Sequence, residues 1–414
     1  MHTSDLYSIY KKNPKICTDS RKIIKGSIFF ALKGNNFNGN MFAEKAIKKG
    51  CVKAIIDEKK YHNPTSTILV DDVLEALQDL ARYHRNRLSI PIIGITGTNG
   101  KTTSKELISN ILKKKYNTYS TKGNLNNHIG VPLSILDIDS NIEIGVIEMG
   151  ANHEKEIEFL CNIAQPEYGI ITNIGSAHLE GFKNIEGVKN TKNELYKYIQ
   201  DNNGLVFVNN KDLLLINLSK NIKKIEYGQN ANINSNSLFT NITYKGKSIK
   251  SKLIGEYQLD NIMLSISVGE YFNISFENIK SSIEEYIPSD NRSEIIRTNK
   301  NLVILDAYNA NPSSMKAMLK SFSKYKSNNK LCILGDMLEL GECSMQEHID
   351  IIKLCADLKL ETLFVGTEFK TIKKESFRTK EDINKYIQKN KTTNKTILLK
   401  GSRGIQLETL ISLL

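Results

Sequence analysis

A glycine-rich segment, GTNGKTT at residues 97–103, carries the residue types that bind nucleotide phosphates. It follows an apolar run at residues 91–96 and precedes a predicted helix at residues 104–115. When a strand, a glycine-rich loop and a helix follow one another in this order, the backbone amides of the loop point at the phosphate. A lysine then neutralises the charge of the phosphate, and a threonine can hold Mg²⁺. The sequence therefore predicts an ATP site formed by Gly97, Thr98, Asn99, Gly100, Lys101, Thr102 and Thr103. The other interpretation is a glycine-rich turn before an ordinary helix.

Three further side chains could complete a catalytic site. Glu148 ends the predicted strand at residues 143–148, where a P-loop enzyme places an acidic group for Mg²⁺, although it could instead cap the next helix. His178 could ligate a metal, but a loop histidine is more often only a polar residue. Lys192, by its charge pattern alone, is typical of a solvated helix lysine.

The segment GSRG at residues 401–404 contains a second short glycine motif. It could be another phosphate loop, and it could equally be the entry to a helix. A lone motif of this length does not decide between them.

Apolar segments alternate with amphipathic segments along the chain, which predicts parallel sheets covered by helices and an α/β fold. The length of 414 residues exceeds one ordinary core, so we expect three domains at residues 1–88, 89–288 and 289–414. The segment at residues 219–252, rich in Asn, Lys and Ser, is predicted to be a partly exposed excursion of the middle domain. Polar motifs lie at the C-terminal ends of the predicted strands at residues 91–96, 143–148 and 168–172. Open α/β sheets bind their ligands at these ends of the strands.

The composition, with 40% hydrophobic and 25% charged residues, is typical of a soluble globular protein. Without an apolar run of bilayer length or a secretory signal, we expect a cytoplasmic protein with no membrane insertion. The six cysteines are scattered and are expected to be reduced. The net charge of +12 would suit nucleic acid, but the lysines are spread along the whole chain. We therefore predict no nucleic-acid partner. We also expect the protein to be a monomer.

Taken together, the motifs resemble the Mur ligase family over nearly the whole chain. Within that family they are most similar to the branch that joins D-alanyl-D-alanine to UDP-N-acetylmuramoyl-tripeptide. The family has its own form of the phosphate loop, in which Ile95 stands where other loops have glycine. The other matching segments are TDSR at 18–21, GSIFFAL at 26–32, TKGNLNNHIGVPL at 121–133, EMGAN at 148–152, DAYNANP at 306–312 and LGDMLELG at 334–341.

The resemblance implies three domains: one that holds the UDP-sugar, a central P-loop ATPase domain with a parallel sheet, and a Rossmann-like C-terminal domain. It also implies an amide-bond (acid–D-amino-acid) ligase that uses ATP and Mg²⁺ and passes through an acyl phosphate. The substrates would be UDP-MurNAc-tripeptide and D-Ala-D-Ala, in the last cytoplasmic amino-acid addition to the peptidoglycan precursor.

The resemblance further assigns roles to individual residues. Lys101, Glu148, His178 and Lys192 would be catalytic, with Lys192 carbamylated, and Thr102, Glu148, His178 and Lys192 would hold Mg²⁺. Adenine and ribose would lie against Asn261, Arg292, Asp306 and Asn309. The donor substrate would contact Ser20, Arg21, Asn124, Asn126 and Asn127, and the segment at 400–403 could reach the D-Ala-D-Ala.

Two segments depart from the family pattern. Asn38-Gly39 replaces a common Asp-Gly pair, and Tyr257-Gln258 replaces the usual His-Asn start of the adenine loop. These departures concern substrate affinity more than reaction type.

The nearest rival function is that of folylpolyglutamate synthase, which usually lacks a domain like that at residues 1–88. A basic P-loop protein that binds nucleic acid would need clustered cations with aromatics. A decayed ligase conflicts with the presence of Lys101, Glu148, His178 and Lys192.

Overall fold

The fold is given by a computed structural model, which describes residues 2–177, 179–229, 231–233, 238–327 and 329–414. Parallel sheets alternate with helices along the chain, so the predicted α/β class is confirmed. No helix among these residues has the length and apolar character needed to cross a bilayer.

The N-terminal unit is a four-stranded parallel sheet in the order β1-β2-β5-β6. Asp72 caps the last helix by accepting a hydrogen bond from the backbone N–H of Glu75, and the helix buries Leu77, Leu80 and Ala81 along one face. The elements are α1 (Thr3–Lys12), β1 (Ile16–Cys17), β2 (Ile28–Phe30), β3 (Lys33–Gly34), β4 (Phe37–Asn38), α2 (Ala43–Lys48), β5 (Lys53–Ile56), β6 (Thr67–Leu69) and α3 (Val73–Arg85).

The central unit is a six-stranded parallel sheet, ordered β12-β11-β10-β7-β9-β8, with a small antiparallel sheet, β13-β14-β15, beside it. Strands β7 and β9 are buried along their whole length, which explains why they are apolar up to their last residues, Thr96 and Glu148. The elements are β7 (Ile92–Thr96), α4 (Lys101–Leu112), β8 (Thr118–Ser120), α5 (Gly130–Leu136), β9 (Ile144–Glu148), α6 (Glu156–Ala164), β10 (Tyr168–Ile171), α7 (Leu179–Phe182), α8 (Ile185–Asp201), β11 (Leu205–Asn209), α9 (Leu213–Leu218), β12 (Lys223–Tyr227), β13 (Ala231–Ile233), β14 (Phe239–Tyr244), β15 (Lys247–Ile254), α10 (Gln258–Tyr271) and α11 (Phe276–Glu285).

The C-terminal unit is a five-stranded sheet in the order β16-β17-β20-β18-β19, in which only the edge strand β16 is antiparallel. Helices cover the sheet, as in other doubly wound units. The elements are β16 (Glu294–Arg297), β17 (Leu302–Asp306), α12 (Pro312–Lys324), β18 (Lys330–Gly335), α13 (Ser344–Asp357), β19 (Thr362–Val365), α14 (Thr367–Ile372), α15 (Lys380–Lys389) and β20 (Thr396–Lys400).

One hydrophobic core joins the N-terminal and central units. It contains Leu6 and Leu77 of the first unit together with Ile92, Ile135 and Ile163 of the second. Tyr10 also donates a hydrogen bond of 2.5 Å to the carbonyl of Leu136 across the same junction. The predicted boundary at residue 88 therefore falls between two packed units, and the positions of both domain boundaries stay predictions.

The structure corrects one local expectation and makes two others more specific. The helix after the phosphate loop begins at Lys101 rather than at residue 104 and ends at Leu112 rather than at residue 115. The segment at residues 219–252 is largely sheet: β12 extends the central sheet, while β13–β15 form the antiparallel one. At the GSRG segment, Ser402 precedes a short 3₁₀ helix, Arg403–Ile405, so the helix-entry interpretation holds there.

Candidate active site

The phosphate loop joins the buried end of β7 to the first turn of α4. Gly97 and Gly100 have φ angles of 138° and 80°, which side chains rarely adopt. A Cβ atom at Gly97 would lie 2.0 Å from the hydroxyl oxygen of Thr172, and one at Gly100 would lie 2.5 Å from Oδ1 of Asn261. Both positions therefore require glycine, and the α4 N-terminus is left open towards the adjacent cleft.

Lys101 is the first residue of α4 and folds back over this loop. Its Nζ donates hydrogen bonds to the carbonyls of Gly97, at 2.6 Å, and Thr98, at 3.1 Å. Loss of solvent lowers the pKa of Lys101; Glu148 opposes this shift by attraction and Arg292 adds to it by repulsion. The amine thus lies where it can bind phosphate oxygens.

Glu148 ends β9 and is buried, with 2% of its surface exposed. Its Oε2 accepts a hydrogen bond of 2.9 Å from the Thr102 hydroxyl, and its Oε1 accepts one of 2.8 Å from the Asn126 amide. The next helix, α6, begins only at Glu156, so the helix-cap interpretation of Glu148 is wrong. Two oxygen groups that could bind a metal ion, the Thr102 hydroxyl and the Glu148 carboxylate, therefore lie side by side at the phosphate loop.

Lys192 lies on the buried face of α8, with 2% exposed, so the expectation of a solvated helix lysine is wrong. Burial lowers the pKa of Lys192 to about 7, and repulsion by Lys101 acts in the same direction. Its Nζ is 5.5 Å from the centre of the Phe182 ring, and Glu194 and Glu156 oppose the pKa shift by attraction. His178, the other predicted metal ligand, lies outside the described residues.

A cleft of about 890 Å³ lies between the central and C-terminal units. It brings together most of the predicted nucleotide site: Thr98, Asn99, Gly100, Lys101, Thr102, Thr103, Glu148, Asn261, Arg292, Asp306 and Asn309. Within the described part of the chain, Gly97 and Lys192 are not among the lining residues. No cluster of three or more His, Cys, Asp or Glu side chains suited to a metal occurs in that part of the chain either.

The wall opposite the phosphate loop is polar and internally paired. The guanidinium carbon of Arg292 lies 3.6 Å from the centre of the Tyr308 ring. Asp306 accepts a hydrogen bond of 2.6 Å from Lys400, its neighbour across β17 and β20. On the central unit, the side-chain amide of Asn261 donates a hydrogen bond of 2.7 Å to Oε1 of Gln258. Gln258, which departs from the family pattern, therefore orients Asn261, the residue predicted to bind adenine.

The phosphate loop is hydrogen-bonded directly to the C-terminal unit. The side-chain amide of Asn99 donates to the hydroxyl of Ser313 at 2.7 Å, and its Oδ1 accepts from Asn311 at 2.8 Å. Asn311 is also the N-cap of α12. The two walls of the cleft are therefore coupled through one side chain of the loop.

The predicted donor-substrate residues are divided between two places. Asn126 and Asn127 line the cleft, whereas Asn124 is exposed and is not among the lining residues of the described chain. Ser20 is buried in the N-terminal unit, and the exposed Arg21 forms a bidentate pair with Asp19 at 2.9 Å, which lowers the pKa of that carboxyl to about 2. The structure does not bring Ser20 and Arg21 to the cleft.

Sequence reasoning missed Lys105 as a neighbour of the site, and it mentioned Gln258, Tyr308 and Lys400 only as parts of longer segments. Lys400 ends β20 and Asp306 ends the neighbouring strand β17, so the shared strand-end position was an available signal. For Lys105 the sequence offers no comparable pattern.

Three family models match the chain in succession. "Mur ligase family, catalytic domain" matches residues 15–85, "Mur ligase middle domain" residues 95–269, and "Mur ligase, glutamate ligase domain" residues 291–403. Each falls on one of the three α/β units described above.

Relatives align over nearly the full length. The UDP-N-acetylmuramoyl-tripeptide–D-alanyl-D-alanine ligase of Bacillus subtilis is 32% identical, over 96% of this chain and 92% of that protein. The ligase of the same name from Buchnera aphidicola (Baizongia pistaciae) is 34% identical over 96% and 91%.

Solved structures give the same picture. A crystal structure of MurF from Acinetobacter baumannii superimposes with a TM-score of 0.86 at 30% identity, covering 96% of this chain and 92% of that one. MurF from Thermotoga maritima in complex with ADP gives 0.83 at 26% identity, covering 97% of both. Folylpolyglutamate synthase from Thermotoga maritima gives 0.61 at 15% identity, covering 82% and 93%, a likeness of fold alone.

The phosphate loop lies at the C-terminal end of a strand in a parallel sheet and faces Arg292 and Asp306 of a second α/β unit. This arrangement defines an enzyme that uses a nucleotide and has its site between domains. The full-length relatives make it an ATP-dependent ligase. The chain belongs to the Mur ligase family and is of the MurF type.

Proposed function

We propose that this protein joins D-alanyl-D-alanine to UDP-N-acetylmuramoyl-tripeptide with cleavage of ATP to ADP and phosphate, forming the peptidoglycan precursor UDP-MurNAc-pentapeptide. The observation that carries the proposal is the cleft, in which the phosphate loop and Glu148 of one unit face Arg292 and Asp306 of another. The names of the full-length relatives support this choice of substrates.

The reaction has two steps, because a carboxylate is a poor electrophile. An oxygen of the tripeptide carboxylate attacks the γ-phosphorus of ATP, ADP leaves, and an acyl phosphate forms. The free amine of D-Ala-D-Ala then attacks the acyl carbon, a C–N bond forms, the amine loses a proton, and phosphate leaves with the electrons of the C–O bond. Lys101 and the amides at the start of α4 stabilise the phosphoryl charge, and Arg292 and Asp306 hold the nucleotide on the other wall.

The donor set at Thr102 and Glu148 fits Mg²⁺. Both contribute oxygen atoms, and their hydroxyl and carboxylate lie 2.9 Å apart at the phosphate loop. We propose that these two residues hold the ion bound to ATP, with His178 and Lys192 serving a second one. When bound, Mg²⁺ neutralises charge on the phosphates.

Lys192 is proposed to be carbamylated, which converts a cation into a carboxylate. Addition of CO₂ requires the neutral amine, and burial brings the pKa of Lys192 to about 7. Glu194 and Glu156 attract the ammonium form, but the effect of burial on the pKa is larger than this attraction.

The remaining assignments complete the proposal. The domains are placed at residues 1–88, 89–288 and 289–414, and Ser20 and Arg21 of the first domain, with Asn124, Asn126 and Asn127, bind the UDP-sugar peptide. The enzyme is proposed to act as a monomer in the cytoplasm. An interaction protein derived from a decayed ligase is disfavoured, because Lys101, Thr102 and Glu148 keep a connected arrangement.

The test is phosphate release from ATP by purified protein with Mg²⁺ and UDP-MurNAc-tripeptide. We expect release only when D-Ala-D-Ala is added, because the acyl phosphate is consumed only by the incoming amine. D-glutamate, L-lysine, and folate with glutamate are the controls. Turnover with folate and glutamate alone, or none with any pair, would contradict the proposal.

A further inference from the structure

Lys105 is a buried cation that the proposed reaction does not use. It lies one helical turn after Lys101 on α4, and only 2% of it is exposed. Lysine is almost never buried to this extent without partners, because removing an ammonium group from water costs several kcal/mol. Its partners should therefore explain its presence.

The contacts of Lys105 lead to Glu148. The Lys105 Nζ donates a hydrogen bond of 2.8 Å to the carbonyl of Thr121, the residue that follows β8. The hydroxyl of Thr121 in turn accepts a hydrogen bond of 2.9 Å from the backbone N–H of Glu148. Lys105 Nζ also lies 3.9 Å from Oε2 of Glu148, and among the described residues it is the only cation within 4.0 Å of that carboxylate.

These contacts close a ring that includes the phosphate loop. α4 is bonded to the end of β8 through Lys105, the end of β8 to the end of β9 through Thr121, and β9 back to α4 through Glu148 and Thr102. Lys105 is not among the described residues that line the cleft, whereas Lys101, Thr102 and Glu148 are. It can therefore act on bound nucleotide only through its neighbours.

We propose that Lys105 is a positioning residue that holds Glu148 in place for a divalent cation. The hydrogen bond to Thr121 fixes the backbone from which Glu148 projects, and the ammonium group offsets the cost of burying the carboxylate. This inference rests on the metal site at Thr102 and Glu148 proposed above.

The experiment compares ADP binding by calorimetry in EDTA and in Mg²⁺, so that the gain caused by Mg²⁺ is measured apart from nucleotide affinity. In Lys105→Met we expect the gain to fall about tenfold or more, the usual effect of removing an outer partner of a metal ligand. ADP affinity in EDTA should stay close to that of the wild type, since Lys105 does not line the cleft. Lys105→Arg should restore most of the gain, and Lys113→Met, at an exposed lysine just after α4, should leave it unchanged.

Thr121→Val tests the same contacts with Lys105 and Glu148 both intact, and it carries the test if Lys105→Met does not fold. It should also reduce the Mg²⁺ gain. A Mg²⁺ gain that survives in the variants, or an equal loss of ADP affinity in EDTA and in Mg²⁺, would overturn the role of Lys105 alone. If Mg²⁺ gives the wild type no gain, the metal site is absent and the inference fails with it.

Discussion

Glu148 shows how a single buried carboxylate can be held ready for a metal. Each of its oxygens accepts one hydrogen bond, from Thr102 and from Asn126, and its backbone N–H is bound by Thr121. A buried charge with this many partners keeps one rotamer, which is the preorganisation that an ion site needs. The negative charge, rather than the shape of the side chain, is then the property the site uses.

Replacing Glu148 by glutamine should therefore lower kcat by about 100-fold or more, as removal of one preorganised electrostatic group commonly does. Shape and hydrogen-bonding capacity are largely kept, so the fold should survive. Glu154→Gln is the matched control, since Glu154 is an exposed acid that lines the same cleft. Phosphate release at saturating substrates is the measurement. Equal effects of the two substitutions would contradict the role of Glu148.

Lys192 offers a chemical test that does not depend on turnover. Protein equilibrated with ¹³C-bicarbonate should show a carbamate signal by ¹³C NMR, because its buried amine has a pKa of about 7. The signal should be absent in Lys192→Met. It should persist in Lys189→Met, where the lysine lies on the same helix but pairs with Glu186. A spectrum without the signal in the wild type would remove the carbamate from the proposal.

At the scale of the element, the turn from β7 into α4 decides whether phosphate can approach. Gly100→Ala should abolish measurable ADP binding in calorimetry, because the new methyl group would press on Asn261 and force the loop to move. Gly123→Ala is the control: that residue also has a positive φ, 53°, but open space around it. It should cost only about 1 kcal/mol of unfolding free energy and leave ADP binding intact. ADP binding in Gly100→Ala at wild-type strength would mean that the loop is not the phosphate site.

The start of α12 both caps a helix and bonds to the phosphate loop. Asn311→Ala should cost about 1 kcal/mol of stability through the lost cap, and it should also raise KM for ATP because the bond to Asn99 is lost. Thr379→Ala removes the cap of α15, another capping box in the same unit that lies outside the cleft lining of the described chain. Similar thermal destabilisation of both variants, with KM for ATP changed only in the first, is the expected result. An unchanged KM in both would show that the link carries no coupling.

Across the whole molecule, the alternation of apolar and amphipathic segments predicted the α/β fold well, because buried strands such as β7 and β9 are apolar up to their last residue, at 92–95 and 144–147. The phosphate-loop residues of the central unit could be predicted for a related reason, because they directly follow the end of such a strand. The pairing of Asn99 with Ser313 could not be predicted, because it joins residues 214 positions apart through the packing of two units. The burial of Lys192 and Lys105 was equally hidden: a lysine on a helix has the same local pattern whether its face meets solvent or a sheet.

The central claim is that the donor carboxylate is activated by phosphorylation, and isotope transfer tests it most directly. UDP-MurNAc-tripeptide labelled with ¹⁸O in both oxygens of its terminal carboxylate is incubated with ATP, Mg²⁺ and D-Ala-D-Ala, and the released phosphate is analysed by mass spectrometry. An acyl phosphate predicts that one labelled oxygen leaves with each phosphate and that the other stays in the new amide. Unlabelled phosphate accompanying full conversion to the pentapeptide would contradict the account.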